Sequence, residues 1–424
     1  MLKKTYHTHK ETIHNSIWRA LQIFGQNGIV FLIFIISAKL LIPYDFGIYN
    51  YAIAIVFFLI IFGDFGISTA TSKYVAEYNA MDKEKLKSVL FNSGIVILGL
   101  TVIITILTLI IGPWYLKEKY IYVLLVLPLI FLVPMTSLYD GVYRGLKRFK
   151  SLAIISMCVG AISLSFVYVL IKTYGLIGAL ISQDLFFIIL LIALGLGYRE
   201  FHFKWNKEVM KEIGSYSFVI GLATLGYFLY SQISTILLGH YGYITEISYY
   251  SLLNKLFSFL IIPFSILGQV LAPDNTRIYA LGKIDELKQK FKKYLISSLI
   301  IGLIISFLLY LVIPLIVNIF FKQYSSTILL GFLQIQIFIF FILISTATVN
   351  NGIITPTNYT KWITLSTIIF GIINLPLSIL LNYYFSYKGI ILSSLISYIL
   401  NVISMYIIYY KTTFKGTKNE KNNF

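Results

Sequence analysis

The sequence holds a single cysteine, Cys158, among 424 residues, so it can form neither an intramolecular disulfide nor a thiolate metal cluster. Charge is also scarce, with Asp, Glu, Lys and Arg making up 12% of the chain, about half their share in soluble domains. The acids are the rarer sign, 17 against 34 Lys and Arg, for a net charge of +17. The five histidines are scattered, with His7, His9 and His14 in the polar N-terminal segment and none at zinc-ligand spacing. There is no nucleophile elbow and no Walker loop, which removes the local signatures of a serine hydrolase and of a nucleotide-driven pump. The segments between apolar runs are too short to build the external active site of a membrane glycosyltransferase or polymerase. No enzyme chemistry, cofactor or metal is implied.

Long apolar runs are what the chain has instead. Hydrophobic residues make up 58% of it, and the mean hydropathy is +0.84. Runs such as 29–42, 46–63, 89–112 and 295–317 are long enough to cross a hydrocarbon core of about 30 Å as helices. Barrel strands alternate polar and apolar residues, and these runs do not. The reading is an all-α polytopic membrane protein. A 19-residue window places twelve spans at 17–42, 46–70, 89–112, 121–139, 151–171, 176–197, 214–239, 247–271, 294–319, 327–347, 362–382 and 389–410. The first run carries Arg19, Gln22 and Gln26 and has no small-residue cleavage site, so it is expected to be retained as a span.

Orientation follows from the basic residues. With the N-terminus inside, the cytoplasmic segments hold 26 Lys and Arg and the outer loops five, which places both termini in the cytoplasm. The positive charge then faces anionic lipid, and nucleic acid is not needed to explain it.

A weak repeat recurs at an offset of 201 residues. Asp45, Tyr49 and Leu59 correspond to Glu246, Tyr250 and Leu260, and Glu84, Leu86 and Lys87 to Asp285, Leu287 and Lys288. The pattern predicts two six-helix bundles, 1–197 and 214–410, joined by a charged cytoplasmic linker at 198–213 and followed by a basic tail at 411–424. Six spans per bundle give both halves one orientation, with a pseudo-two-fold along the membrane normal and a substrate path between them.

Polar groups within the spans mark candidate sites. Arg19, Gln22, Gln26, Ile33 and Ser37 align as a polar stripe on the first span, and Ser251, Asn254, Lys255, Ser258, Ser265 and Gln269 form one on the eighth. The seventh offers Thr224, Tyr227, Ser231, Gln232 and Thr235. Such groups often only bridge neighbouring helices. Lys255 stands about 12 Å inside its span and is read either as facing a water-filled substrate path or as paired with Asp184 at matched depth. Asp64 is read as an ion-pair partner of Arg19 or Lys73 in preference to a proton-coupling group.

Four stretches carry a family likeness: "LIPYDFGIYNYA" at 41–52, "DFGISTATSKYVAEY" at 64–78, "GVYRGLKRFK" at 141–150 and "APDNTRIYALGKIDELKQKFKK" at 272–293. With them the chain resembles the bacterial polysaccharide-biosynthesis exporters, the Wzx-type oligosaccharide flippases of the multidrug, oligosaccharidyl-lipid and polysaccharide exporter superfamily. Ile42 departs from the glycine usual before the proline. The resemblance implies transfer of an undecaprenyl-pyrophosphate-linked repeat unit, for O-antigen or capsule assembly, alongside a polysaccharide polymerase and glycosyltransferases. It also implies basic groups on the first and eighth helices, and Arg19 and Lys255 fit those positions. A cation-coupled multidrug exporter and a membrane polymerase are the alternatives.

Overall fold

The computed structural model describes residues 2–198, 200–357 and 360–415, with side chains described for residue 18 and from residue 21 onward except 24, 360–363 and 415. No strand occurs among the described residues. The helices are α1 (Leu2–Leu40), α2 (Pro43–Asp64), α3 (Ile67–Met81), α4 (Lys83–Leu116), α5 (Tyr120–Leu125), α6 (Leu129–Gly145) and α7 (Phe149–Gly197), followed by α8 (Lys207–Ser231), α9 (Ile233–His240), α10 (Ile244–Ala280), α11 (Ile284–Phe320), α12 (Thr327–Val349), α13 (Thr360–Phe385) and α14 (Tyr387–Tyr409).

Ten helical segments among the described residues are long and apolar enough to cross a membrane. One of them, α7, contains the expected fifth and sixth spans, because Gly175 leaves helical geometry at φ 55°, ψ −128° and divides it. The expected fourth span, 121–139, is shared by α5 and α6 around Pro128. This is the multi-pass, two-bundle helical membrane fold expected from the sequence.

Local chemistry sets the ends. Pro43 occupies the first turn of α2, where its missing N–H has no cost. Ile42 before it is extended (φ −67°, ψ 156°), the conformation a residue preceding proline prefers, so this turn does not require glycine. The second span stops at Asp64 instead of 70. Phe65 and Gly66 are both left-handed, at φ 38° and 82°, and the chain restarts as α3. Asp82 caps α4 by accepting from the N–H groups of Glu84 and Lys85, both at 3.0 Å.

The chain forms two compact units, Met1–Leu225 and Gly226–Phe424. The division falls inside α8, beyond the expected boundary at 214, because residues 204–212 are fastened to α3 and α4. Lys85 pairs with Glu208 at 3.0 Å, and Lys204 with Glu84 at 2.6 Å. The Asn206 N–H donates to Asn92 Oδ1 at 3.3 Å, and the Tyr78 hydroxyl donates to Glu212. In the first unit α6 packs between α3 and α7, and α1 runs along α7; in the second, α10 and α11 flank α12, and α13 lies on α14.

The 201-residue repeat has structural content. Asp45 and Glu246 sit in the first turns of α2 and α10, and Glu84 and Asp285 in those of α4 and α11. Pro113 and Pro314 lie inside α4 and α11. A break like that at Gly175 occurs at Ser386 (φ 54°, ψ −145°), between α13 and α14, 211 residues on rather than 201. Three residues after each break a glycine, Gly178 or Gly389, lies so close to a carbonyl eight residues back that a Cβ would meet it at about 2 Å.

Candidate functional site

The first unit contains a cavity of about 270 Å³ between α1, α6 and α7. Gln22, Gln26 and Asn27 enter it from α1, Thr136, Ser137 and Asp140 from α6, and Ser156 and Phe187 from the two halves of α7. Helical spacing delivers these groups: Gln22 with Gln26, and Thr136 with Asp140, each lie four apart and so share a face. Apolar walls close the remainder, with Leu190 and Leu194 again four apart on α7.

The polar groups are partly committed and partly available. Gln22 is buried and donates through Nε2 to Gln26 Oε1 at 2.8 Å, leaving the Gln26 amide nitrogen as a donor. The Thr136 hydroxyl donates to Val133 O at 2.8 Å, and Asn27 Nδ2 to Ile23 O at 2.7 Å; their remaining acceptor positions are usable. Asp140, the one ionisable group among the described residues of the lining, is paired with Arg144 Nε at 2.6 Å. Among the described residues the result is a neutral surface of amides, hydroxyls and one aromatic ring, suited to hydroxyl-rich ligands.

Of the residues expected from sequence, Gln22 and Gln26 fall in this cavity. Arg19 lies on α1 one turn earlier, and its side chain lies outside the described residues. Asp64 takes a local role, accepting from the Ser68 N–H at 3.0 Å and from the Ser68 hydroxyl, and so caps α3. Lys73 stands over the rings of Tyr74 and Tyr216, at 4.7 and 4.3 Å, rather than against Asp64. Asp184 on α7 is 9% exposed, with its Oδ1 lacking a hydrogen-bond partner among the described residues.

The other candidates belong to the second unit. Asn254 and Lys255 are half-buried on α10, Lys255 eleven residues or roughly 16 Å from the start of the helix. Ser258 is exposed and donates to Asn254 O at 2.7 Å. Gln232 is exposed and non-helical (φ −125°, ψ −17°), dividing the expected seventh span into α8 and α9. Beside the seventh-span stripe, Ser234 belongs to a buried polar seam that the sequence did not reveal. Ser234 meets Ser394 at 2.8 Å, Ser366 donates to Asn401 Oδ1 at 2.6 Å, and Ser397 to Asn374 Oδ1 at 3.2 Å. These are satisfied interhelical bonds of the kind that hold spans together. Among the described residues no cluster of His, Cys, Asp and Glu fit to hold a metal occurs.

Sequence reasoning also missed the cavity's α6 and α7 groups, Thr136, Ser137, Asp140 and Ser156. The spacing of Thr136 and Asp140 in "MTSLYDG" is the signal that would have found α6.

Comparison with known proteins gives a sequence-family match over residues 12–278, to the family described as "Polysaccharide biosynthesis protein". The fold is similar to that of an inward-facing MATE-family multidrug resistance transporter of the MOP superfamily, at TM-score 0.70 and 16% identity over 92% of this chain and 97% of that one. It is also similar to the lipid II flippase MurJ in an inward closed conformation, at TM-score 0.69 and 15% identity over 92% of this chain and 86% of that one. A third similar structure is the MATE transporter VcmN of Vibrio cholerae, at TM-score 0.62 and 16% identity over 97% and 98%. No curated protein sequence matches significantly.

Proposed function

From the chain's membership of the polysaccharide biosynthesis protein family, we propose that it is a flippase moving an undecaprenyl-pyrophosphate-linked oligosaccharide from the cytoplasmic to the outer leaflet of a bacterial inner membrane. The lining of the first unit's cavity carries this reading. Gln22, Gln26, Asn27, Thr136 and Ser137 offer donors and acceptors to sugar hydroxyls, and Phe187 offers a ring face. A volume near 270 Å³ is the scale of one or two sugar rings. The glycan occupies this cavity, and Lys255 serves as a point charge for the pyrophosphate. The polyprenyl tail stays in lipid. Transport proceeds by alternating access driven by an ion gradient or by downstream consumption of the product, with surface polysaccharide assembly as the consumer.

Purified protein in liposomes loaded with a defined lipid-linked oligosaccharide tests this directly. Translocation is expected for the wild type and is lost in Lys255→Ala, with unchanged insertion and melting. Gln26→Leu slows it roughly tenfold, the effect of one lost hydrogen bond to substrate. Full transport by both variants would refute the assignment of these residues. Failure of the wild type to move any saccharide-bearing lipid would refute the function.

A second reading, a cation-coupled multidrug exporter, draws support from Asp184, a buried carboxylate lacking a partner for one oxygen, and from the MATE-like fold. It predicts efflux of a lipophilic cation, abolished by Asp184→Asn.

A further inference from the structure

Between α7 and α8 residues 200–206 are neither helix nor strand, and the segment tightens where the Lys204 N–H donates to His202 O at 3.0 Å. Lys204 Nζ pairs with Glu84 at 2.6 Å. Asn92 of α4 takes the backbone there, donating to Lys204 O at 3.4 Å and accepting from the Asn206 N–H at 3.3 Å. The segment's aromatics are Phe201, Phe203 and Trp205. Phe201 and Phe203 meet edge to face at 4.8 Å, and both reach the ring of Phe91 on α4, at 6.4 and 5.6 Å. Beyond these contacts they are uncovered, Phe203 being 84% and Trp205 53% exposed. Three neighbouring aromatics facing water would be an unfavourable surface.

Phe91 shows what covers them. It heads a line of exposed apolar residues along α4, namely Ile95, Leu98, Val102 and Ile106, whose spacings of three and four put them on one helix face. In a spanning helix that face meets acyl chains. The segment's aromatics therefore continue the lipid-facing surface of α4 at the end where α4 begins, beside the charged groups of Glu84, Lys85 and Glu208.

We propose that residues 200–206 form an interfacial strap, with Phe201, Phe203 and Trp205 seated in the boundary between phospholipid headgroups and acyl chains of the leaflet at which α4 starts. Aromatic rings are favoured at that depth, and the Lys204–Glu84 and Lys85–Glu208 pairs clamp the strap from the aqueous side. The occupant of the patch is bilayer phospholipid. The proposal rests on the membrane-spanning reading of α4 and is independent of what is transported.

Trp205 supplies the probe. In a variant carrying Trp18→Phe, Trp114→Phe and Trp362→Phe it is the sole tryptophan. The protein is reconstituted into phosphatidylcholine vesicles containing lipid brominated near the headgroup end or near the end of the acyl chain. The expected result is a loss of about twofold or more in fluorescence with the shallow-brominated lipid, a weaker loss with the deep one, and protection from aqueous iodide. Emission that iodide quenches freely and bromolipids leave unchanged would overturn the strap. Should that variant fail to insert, Cys158→Ser with Phe203→Cys carries a polarity-sensitive fluorophore at 203. A blue-shifted emission in vesicles supports the strap, and a water-like emission refutes it.

Discussion

An alanine at Gly141 places a methyl group where two backbones touch. Its Cβ would stand 2.5 Å from Ser68 O and 3.5 Å from both Ser68 C and Ser72 N of α3, whereas a carbon normally rests about 3.3 Å or more from a carbonyl oxygen. That carbonyl belongs to a helical backbone and cannot turn aside, so α6 must retreat from α3 by roughly 0.8 Å. Overpacking of this kind costs about 1–3 kcal/mol. Alanine also gains up to about 1 kcal/mol over glycine inside a helix, which would mask part of the loss. Gly99→Ala on α4 removes the ambiguity, because nothing lies within 4 Å of a Cβ there and the variant reports helix propensity alone. The expected difference between the two variants is therefore about 1–3 kcal/mol, the overpacking cost by itself, read as the shift of a thermal or SDS-driven unfolding curve in detergent micelles. Gly145→Ala, whose Cβ would meet Ser72 O at 2.7 Å, should move the same way. Equal stability of Gly141→Ala and Gly99→Ala would refute the close-contact reasoning. Because α6 also carries Thr136, Ser137 and Asp140 into the cavity, the displaced helix should slow transport as well.

In the second unit Asn275 is 1% exposed and donates through Nδ2 to Gly352 O at 2.8 Å. Asn275→Leu leaves that buried carbonyl without its donor and should cost about 1–3 kcal/mol in the same unfolding assay. Gln336→Leu removes a longer bond, 3.2 Å to Tyr250 O, and should cost less. Glu84→Ala frees Lys204, so trypsin should cut at 204 faster than in the wild type. High salt should produce the same acceleration in the wild type, since exposed ion pairs are screened; cleavage indifferent to both would show that the pair does not hold the segment.

Apolar run length made the spans legible, and the uneven distribution of Lys and Arg between alternate loops implies an orientation. The repeat was legible too, because Asp45, Glu84 and their counterparts act through local helix-start chemistry that sequence exposes. Less accessible were the interruptions. Residues 46–70 read as one span, and the left-handed pair Phe65–Gly66 ends α2 at Asp64. Gln232 likewise looked like one member of a helical stripe, where the backbone in fact leaves the helix. The cavity was half legible: periodicity located Gln22 and Gln26 on α1. Which α6 and α7 faces meet them is set by tertiary packing, such as the closeness of Gly141 to Ser68, and periodicity within one helix carries no information about that.

The stretches on which the family resemblance rests turn out to act on the backbone. Pro43 and Asp45 start α2; Asp64, Phe65 and Gly66 end it and cap α3. Gly141 and Gly145 bring α6 onto α3, while Asn275 clamps the carbonyl of Gly352. None of these residues lines the cavity; Asp140, which does, stands one position before the "GVYRG" stretch. Motifs that build helix ends and close crossings would serve equally well whatever saccharide is moved. Under the proposed function, choice of saccharide lies with side chains outside them, above all Gln22, Gln26 and Asn27 of α1 and Ser156 of α7. Paired replacement of Gln26 and Asn27 by other hydrogen-bonding residues should therefore change which lipid-linked oligosaccharide is translocated while leaving the unfolding midpoint nearly unmoved, the reverse of the pattern expected at Gly141. A series of such variants that shifts stability but never selectivity would place saccharide recognition outside this cavity.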